Sequence, residues 1–297
     1  MGRPACRADP QVRKPVHRGR PVLGATTPKE QIDALFPLHP VGSRLSCRHY
    51  WQRHFFYRPH LGSHSPDRAG RRGLAMAPAK PRAAISWSGG KDSCAALYRV
   101  REQFDVVSMV TMFDEDAARS RSHGLRPEVV AAQADRLGVA QVVGRCTWNT
   151  YNETFARALD GMAASGITHV VFGDIMFDEH RRWAERMCEG SGLTAVEPLW
   201  GESTDALFDE WVGSGAEALI VTARAEFLDS AWLGRPLAAS MGPEFVRLGV
   251  DKCGERGEYH TVVTQTPLFS RPLLLRRAGT VQRSGCWALD VQVADAS

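Results

Sequence analysis

Six consecutive residues, Ser88-Gly89-Gly90-Lys91-Asp92-Ser93, set two glycines, an ammonium, a carboxylate and two hydroxyls just beyond the apolar run Ala83-Ala84-Ile85, with only Ser86 and Trp87 between. Adjacent glycines let a turn take positive φ and bring its backbone N–H groups close to a ligand, and a following helix adds its positive dipole end. Lys91 adds a mobile positive charge, Ser88 and Ser93 add hydroxyl donors, and Asp92 adds a carboxylate able to cap the helix or hold Mg²⁺ through water. Such a turn suits a phosphate or pyrophosphate. Its spacing is neither that of a Walker A loop, GxxxxGK[ST], nor that of a GxGxxG dinucleotide turn. A plain tight turn with a capped helix is the competing reading, and four converging polar groups argue against it.

Other chemistry-bearing residues lie in three further segments. Gly173 and Asp174 follow the apolar run ITHVVF and so belong at the carboxyl end of a strand, although Asp174 by itself also reads as a helix cap. His123 and Gly124 fall in a long polar connection, where a loop of about a dozen residues is more often functional than idle, and His123 is expected to touch nucleotide or substrate. Glu255 and Glu258, beside glycines in GERGEYHT, could bind Mg²⁺, an ammonium ion or a cationic substrate, or could form a solvated turn. His169 and Trp200 read as packing residues and His180, within DEHRR, as a surface residue.

The elements that must position these residues alternate. AAISWS, DVVSMVTMF, AQVVGRC, ITHVVFGD and TAVEPLW are strand-like, and each is followed by a segment with helical spacing. That alternation predicts βαβ units: an α/β fold with a Rossmann-like parallel sheet and helices on both faces. After the strand AEALIVTA the pattern breaks in a turn-rich region around residues 228–257, and YHTVVTQ, PLLLRRAGTVQR and CWALDVQV read as further strands. The expected organisation is an N-terminal extension over 1–78, a nucleotide-binding domain over 79–197 and a smaller C-terminal α/β subdomain over 198–297.

Residues 1–75 hold 14 Lys and Arg against four acids, a charge of +10, which leaves −6 on the remainder of a chain whose net charge is +4. An acidic body argues against a nucleic-acid surface, which draws on clustered Lys and Arg. The extension is rich in Arg, Pro and His, lacks helical or strand periodicity, and reads as disordered or as non-native sequence upstream of a start at Met76. Seven dispersed cysteines without a CxxC pair indicate neither a zinc ribbon nor a disulfide framework, which suits a reducing cytoplasm. No apolar run approaches the length of a membrane span.

SGGKDS resembles the PP-loop signature, SGGxDS, of ATP pyrophosphatase-type enzymes of the adenine nucleotide alpha hydrolase superfamily. SHGLRPEVVAAQADRLG, VVFGDI, EPLW, WLGRPL and GERGEYHTVV together are similar to the diphthine–ammonia ligase family over about residues 82–269. That family usually reads GEGGEYET where this chain has GERGEYHT, so Arg256 and His260 depart while Glu255 and Glu258 stay.

The resemblance implies the HUP-type PP-loop fold. It implies ATP bound by Ser88, Gly89, Gly90, Lys91, Asp92 and Ser93, with His123, Gly173 and Asp174 on the same rim, Mg²⁺ on Asp92, and catalytic roles for Lys91, Asp92, Glu255 and Glu258. The implied reaction adenylates a carboxylate, releases pyrophosphate and makes an amide with ammonia from solution. The implied acceptor is diphthine, on a protein partner such as elongation factor 2. A PP-loop protein of tRNA modification and a nucleotide-binding sensor without turnover are the alternatives. Oligomeric state is not legible.

Overall fold

The computed structural model describes residues 79–294, so the expectations for the N-terminal extension lie outside the described residues. Five strands form the first sheet: β1 (Arg82–Ser86), β2 (Asp105–Phe113), β3 (Ala140–Arg145), β4 (His169–Val171) and β5 (Thr194–Val196). All pairs are parallel and the order is β3-β2-β1-β4-β5. β1 is therefore central, and the chain reverses direction of winding beside it. That is where ligands of open parallel sheets bind.

The helices between these strands are α1 (Lys91–Val100), α2 (Pro127–Leu137), α3 (Tyr151–Ala164) and α4 (Asp178–Gly190). Strand alternation sends neighbouring side chains to opposite faces. Ala83 and Ile85 of β1 join Met109 and Phe113 of β2 in a core with Cys94 and Leu97 of α1 and Val129 and Val130 of α2. Ala84 and Val110 face the other way, onto Phe155 and Leu159 of α3 and Ala184 and Cys188 of α4. Both faces of the sheet are covered, as the near-continuous apolar strands require. α2 begins with Pro127 in its first turn and ends at Gly138, whose φ of 70° lets its N–H cap the carbonyls of Ala134 and Asp135.

The second domain holds β6 (Glu217–Arg224), β7 (Tyr259–Gln265), β8 (Leu275–Arg283) and β9 (Cys286–Val293), paired antiparallel in the order β7-β6-β9-β8. α5 (Thr204–Gly213) and α6 (Met241–Leu248) accompany it. The turn-rich region expected around residues 228–257 thus contains α6 and a short 3₁₀ turn at Ser230–Trp232. Gly242-Pro243 near its start hid the helix from a propensity reading, yet Pro is tolerated in a first turn, and Met241 and Phe245 bury one face. Buried residues of this sheet, among them Val262, Val263, Ala223 and Leu289, belong to the same apolar cluster as residues of α1 and α2. The two domains are joined by packing as well as by chain.

Candidate active site

β1 ends at Ser86, and the chain turns through Gly89 at φ 87° before α1 starts at Lys91 with Gly90 as its extended N-cap. Only a residue without Cβ takes that φ at no steric cost. At Gly89 a Cβ would run into Leu125, and at Gly90 into the His123 ring. The turn is closed by its own hydroxyls: Ser88 Oγ and Ser93 Oγ lie 3.1 Å apart, and Ser93 Oγ donates to Gly90 O at 3.1 Å.

The second domain completes the turn. Thr261 Oγ1 accepts from Lys91 N at 3.0 Å, and Gly89 O accepts from Val263 N at 2.9 Å, so β7 lies along the loop. Gln133 of α2, fully buried, ties the three pieces: its Nε2 donates to Gly89 O and Val263 O, both at 3.0 Å, while its Oε1 accepts the Trp87 indole N–H at 2.9 Å. Every polar atom of that amide except one lone pair is used.

A cavity of about 820 Å³ opens where the strands end, between the two domains. Ser88, Lys91, Asp92 and Ser93 line it from the turn, Gly173 and Asp174 from the end of β4, and Glu255 from the loop before β7. Residues from both halves of the sequence therefore converge on one space. Gly173 must be glycine because a Cβ there would meet the backbone of Asp92 and Ser93 at 2.8 Å.

Lys91 is almost completely buried, and its ammonium reaches both Asp92 oxygens at 2.9 and 2.8 Å and the Cys253 carbonyl. Burial works against its charge, but the nearby Asp92, Tyr259, Cys253 and Glu255 outweigh it and raise the pKa, so Lys91 is a fixed cation. A stacked series, Trp232 on Phe245 and Phe245 on Tyr259, holds the Tyr259 ring 5.3 Å from that ammonium. Glu255 is half-buried, and desolvation followed by the Asp92 carboxylate pushes its pKa up. Lys91 thus offers positive charge to an anion, while Glu255 is biased toward holding a proton until a cation arrives.

Glu258 stands apart from the cavity wall. It is wholly buried, and its carboxylate accepts from Asp251 N and Arg256 N, both at 3.0 Å. Its charge is spent on closing the loop that presents Glu255. His123 and His260 stack at 4.6 Å in the wall, and His123 Nδ1 donates to Thr261 O at 2.8 Å. Burial lowers their pKa values to about 4 and about 3, so both rings are neutral at pH 7.

The sequence reading missed several wall residues. His180, read as a surface residue, pairs with Asp174 at 3.2 Å and lines the cavity, because one turn of α4 carries it back over the end of β4. Glu197, in EPLW, is not on the cavity wall itself: its carboxylate oxygens are buried without a hydrogen bond among the described residues, with Arg181 Nε at 3.8 Å, and desolvation followed by Asp174 raises its pKa to about 7. Arg121 faces the cavity with its guanidinium 4.9 Å from the Trp148 ring and a bond to the Cys146 carbonyl. No sequence pattern marks His180 or Arg121, which reach the cavity only in the fold, whereas Glu197 falls in EPLW, one of the segments that carry the family resemblance. His169 packs on Phe104 at 4.8 Å and Trp200 under Arg181 at 5.2 Å, in keeping with packing roles. Among the described residues no helix is long and apolar enough to cross a membrane.

The family model described as the diphthamide synthase N-terminal domain matches residues 81–195, and that described as the diphthamide synthase C-terminal domain matches residues 203–290. A Rattus norvegicus protein named diphthine–ammonia ligase is 26% identical over 230 residues, covering 68% of this chain and 86% of its own. A Bos taurus protein of the same name is 32% identical over 117 residues, 38% of this chain and 43% of its own. A fission yeast protein of that name, from Schizosaccharomyces pombe, is 25% identical over 221 residues, 66% of this chain and 36% of its own.

Proposed function

Because the chain belongs to the diphthamide synthase family, we propose that it is an ATP-dependent carbon–nitrogen ligase that adenylates the carboxylate of diphthine and amidates it with ammonia. The observation that carries this reading is the single cavity on which the SGGKDS turn, Asp174 and Glu255 converge, two from one domain and one from the other. An amide cannot form from a carboxylate and ammonia at neutral pH until the carboxylate oxygen becomes a good leaving group. Adenylation supplies that.

In the first step a carboxylate oxygen attacks the α-phosphorus of ATP, and the α–β bridging oxygen leaves with its electron pair as pyrophosphate. Lys91, Ser88 and Ser93, with the backbone N–H groups of the glycine turn, hold the β- and γ-phosphates and offset the charge that gathers on them. In the second step ammonia attacks the acyl carbon, AMP leaves with the electron pair, and the surplus proton passes to a carboxylate of the wall. Glu255 is the proposed acceptor of that proton, or the anchor of a cationic group, once a positive charge beside it overcomes its raised pKa. Glu258 acts by holding the loop. His123, neutral, stands beside the turn as a hydrogen-bonding wall.

Mg²⁺ fits this donor set in one way. Among the described residues no three His, Cys, Asp or Glu side chains gather to cage a metal, whereas Mg²⁺ on a nucleotide needs only one or two carboxylates besides phosphates and water. Asp92, on the cavity wall, would hold it, and the ion would neutralise phosphate charge.

The test is incubation with ATP, ammonium and diphthine-bearing elongation factor 2. AMP and pyrophosphate should appear with the factor, whose mass should fall by the exchange of hydroxyl for amino group. ATP binding without any pyrophosphate release would sink the ligase in favour of a sensor, and pyrophosphate made with other acceptors while the factor stays unchanged would reject diphthine.

A further inference from the structure

β8 is the outer strand of the second sheet, so one side of its backbone has no strand partner among the described residues. Eight of its nine residues are exposed. It carries Arg276, Arg277 and Arg283 and no acid. Among the described residues none of these three forms a salt bridge, whereas Arg271, just before the strand, pairs with Asp135 at 2.6 Å.

Cross-strand partners in an antiparallel pair share a face. β8 pairs Arg283 with Cys286, Val281 with Ala288, Gly279 with Asp290 and, beyond a bulge, Arg276 with Gln292. Cys286 lines the cavity. Asp290 is held by Arg119 at 2.7 Å and Arg126 at 2.8 and 2.6 Å, from the connection between β2 and α2 that also brings Arg121 and His123 to the cavity. Arg276, Val281 and Arg283 therefore lie on the face that turns toward the first domain. Arg277 is on the other face, its guanidinium against Gly234. The tip between β8 and β9, Ser284-Gly285, takes positive φ at both residues and itself lines the cavity.

Charge and a bulge on an open edge also serve to block unwanted pairing. Two features go beyond that need. The strand runs outward from the rim of the cavity, and it keeps an apolar side chain in solvent, Val281 at 45% exposure. We propose that the open edge of β8, with Arg276, Val281 and Arg283, docks an acidic extended segment of the protein that carries the acceptor carboxylate. This rests on the reading that the acceptor is borne by a protein. Such a segment would run along the strand with its acids on the arginines and deliver the neighbouring acceptor past the Ser284-Gly285 tip. Surface charges of this kind set encounter and KM more than the chemical step.

The experiment compares wild type with the double variant Arg276→Glu/Arg283→Glu on two acceptors: whole diphthine-bearing elongation factor 2 and a short diphthine peptide. Both positions are exposed, so the fold should survive. KM for the factor should rise about tenfold or more, with a weaker dependence on salt. Turnover of the peptide should stay as in wild type, and Arg247→Glu on α6, which adds no residue to the cavity wall, should change neither. An unchanged KM for the factor overturns the docking surface, and so does an equal loss on the peptide. Titration of the factor onto the protein separates the two readings. If wild type amidates neither acceptor the ligase reading fails, while binding of the factor that the double variant loses upholds the docking edge and equal binding by both removes it.

Discussion

Replacing Gln133 should reveal how firmly the glycine turn depends on a buried amide. Gln133→Leu keeps the volume and removes one acceptor and two donors from a fully buried site. The Trp87 indole N–H would then be orphaned, which costs about 1–3 kcal/mol. Gly89 O keeps its bond from Val263 N at 2.9 Å, so the loss there is smaller. Together these give about 2–4 kcal/mol, or a fall in Tm of roughly 5–15 °C for a chain of this size. Gln133→Glu should be worse, because a carboxylate would face the carbonyl oxygens of Gly89 and Val263 and could donate to neither. The assay is thermal unfolding followed by circular dichroism, paired with ATP titration of pyrophosphate release. Both variants should raise KM for ATP, since Gly89 is no longer pinned. A Gln133→Leu protein that melts with wild type and keeps its KM would refute the clamp, and a Glu variant more stable than the Leu variant would refute the hydrogen-bond accounting.

Gly173→Ala should drive the backbone of Asp92 and Ser93 away by contact at 2.8 Å, lowering pyrophosphate release about a hundredfold with little change in circular dichroism. Glu258→Gln should loosen the loop, because one of its two acceptor oxygens becomes a donor facing an N–H; amide formation should fall about tenfold or more while ATP binding measured by calorimetry is kept. Asp290→Asn should destabilise by about 1–2 kcal/mol at pH 7, since hydrogen bonds from Arg126, then from Arg119, hold its pKa well below the usual carboxylate range. That stabilisation is present above the unfolded pKa of about 4 and is lost as pH falls toward the folded value, so urea denaturation of wild type and variant should converge in acid. A gap that persists at low pH would assign Asp290 a packing role instead.

The sequence disclosed the strand, turn and helix around SGGKDS because backbone need and side-chain chemistry coincide there: glycines for positive φ, polar groups for an anion, an apolar strand before them. DVVSMVTMF and YHTVVTQ were legible as β2 and β7 to the residue for a similar reason, since β-branched runs bounded by breakers leave few alternatives. Gln133 was not legible. Within VVAAQADRL it looks like one more polar helix position, and only the approach of β7 makes it a buried junction. Glu258 reads from sequence as a second acid of the site, and only the path of its loop shows both oxygens facing backbone N–H groups. Long-range contacts decide these cases, and local periodicity carries no record of them.

Thr261 gives the glycine turn a hydrogen bond that the first domain does not make for itself. A fragment ending before β6, or a hybrid in which another protein supplies the second domain, would therefore leave Lys91 N without the Thr261 hydroxyl and Gly89 O without the Val263 N–H. The nucleotide half is thus no interchangeable part. Exchange among relatives should work only where the incoming strand brings a hydroxyl and a free N–H to these two positions, and any shuffling scheme that cuts between the two domains will be sorted by that requirement.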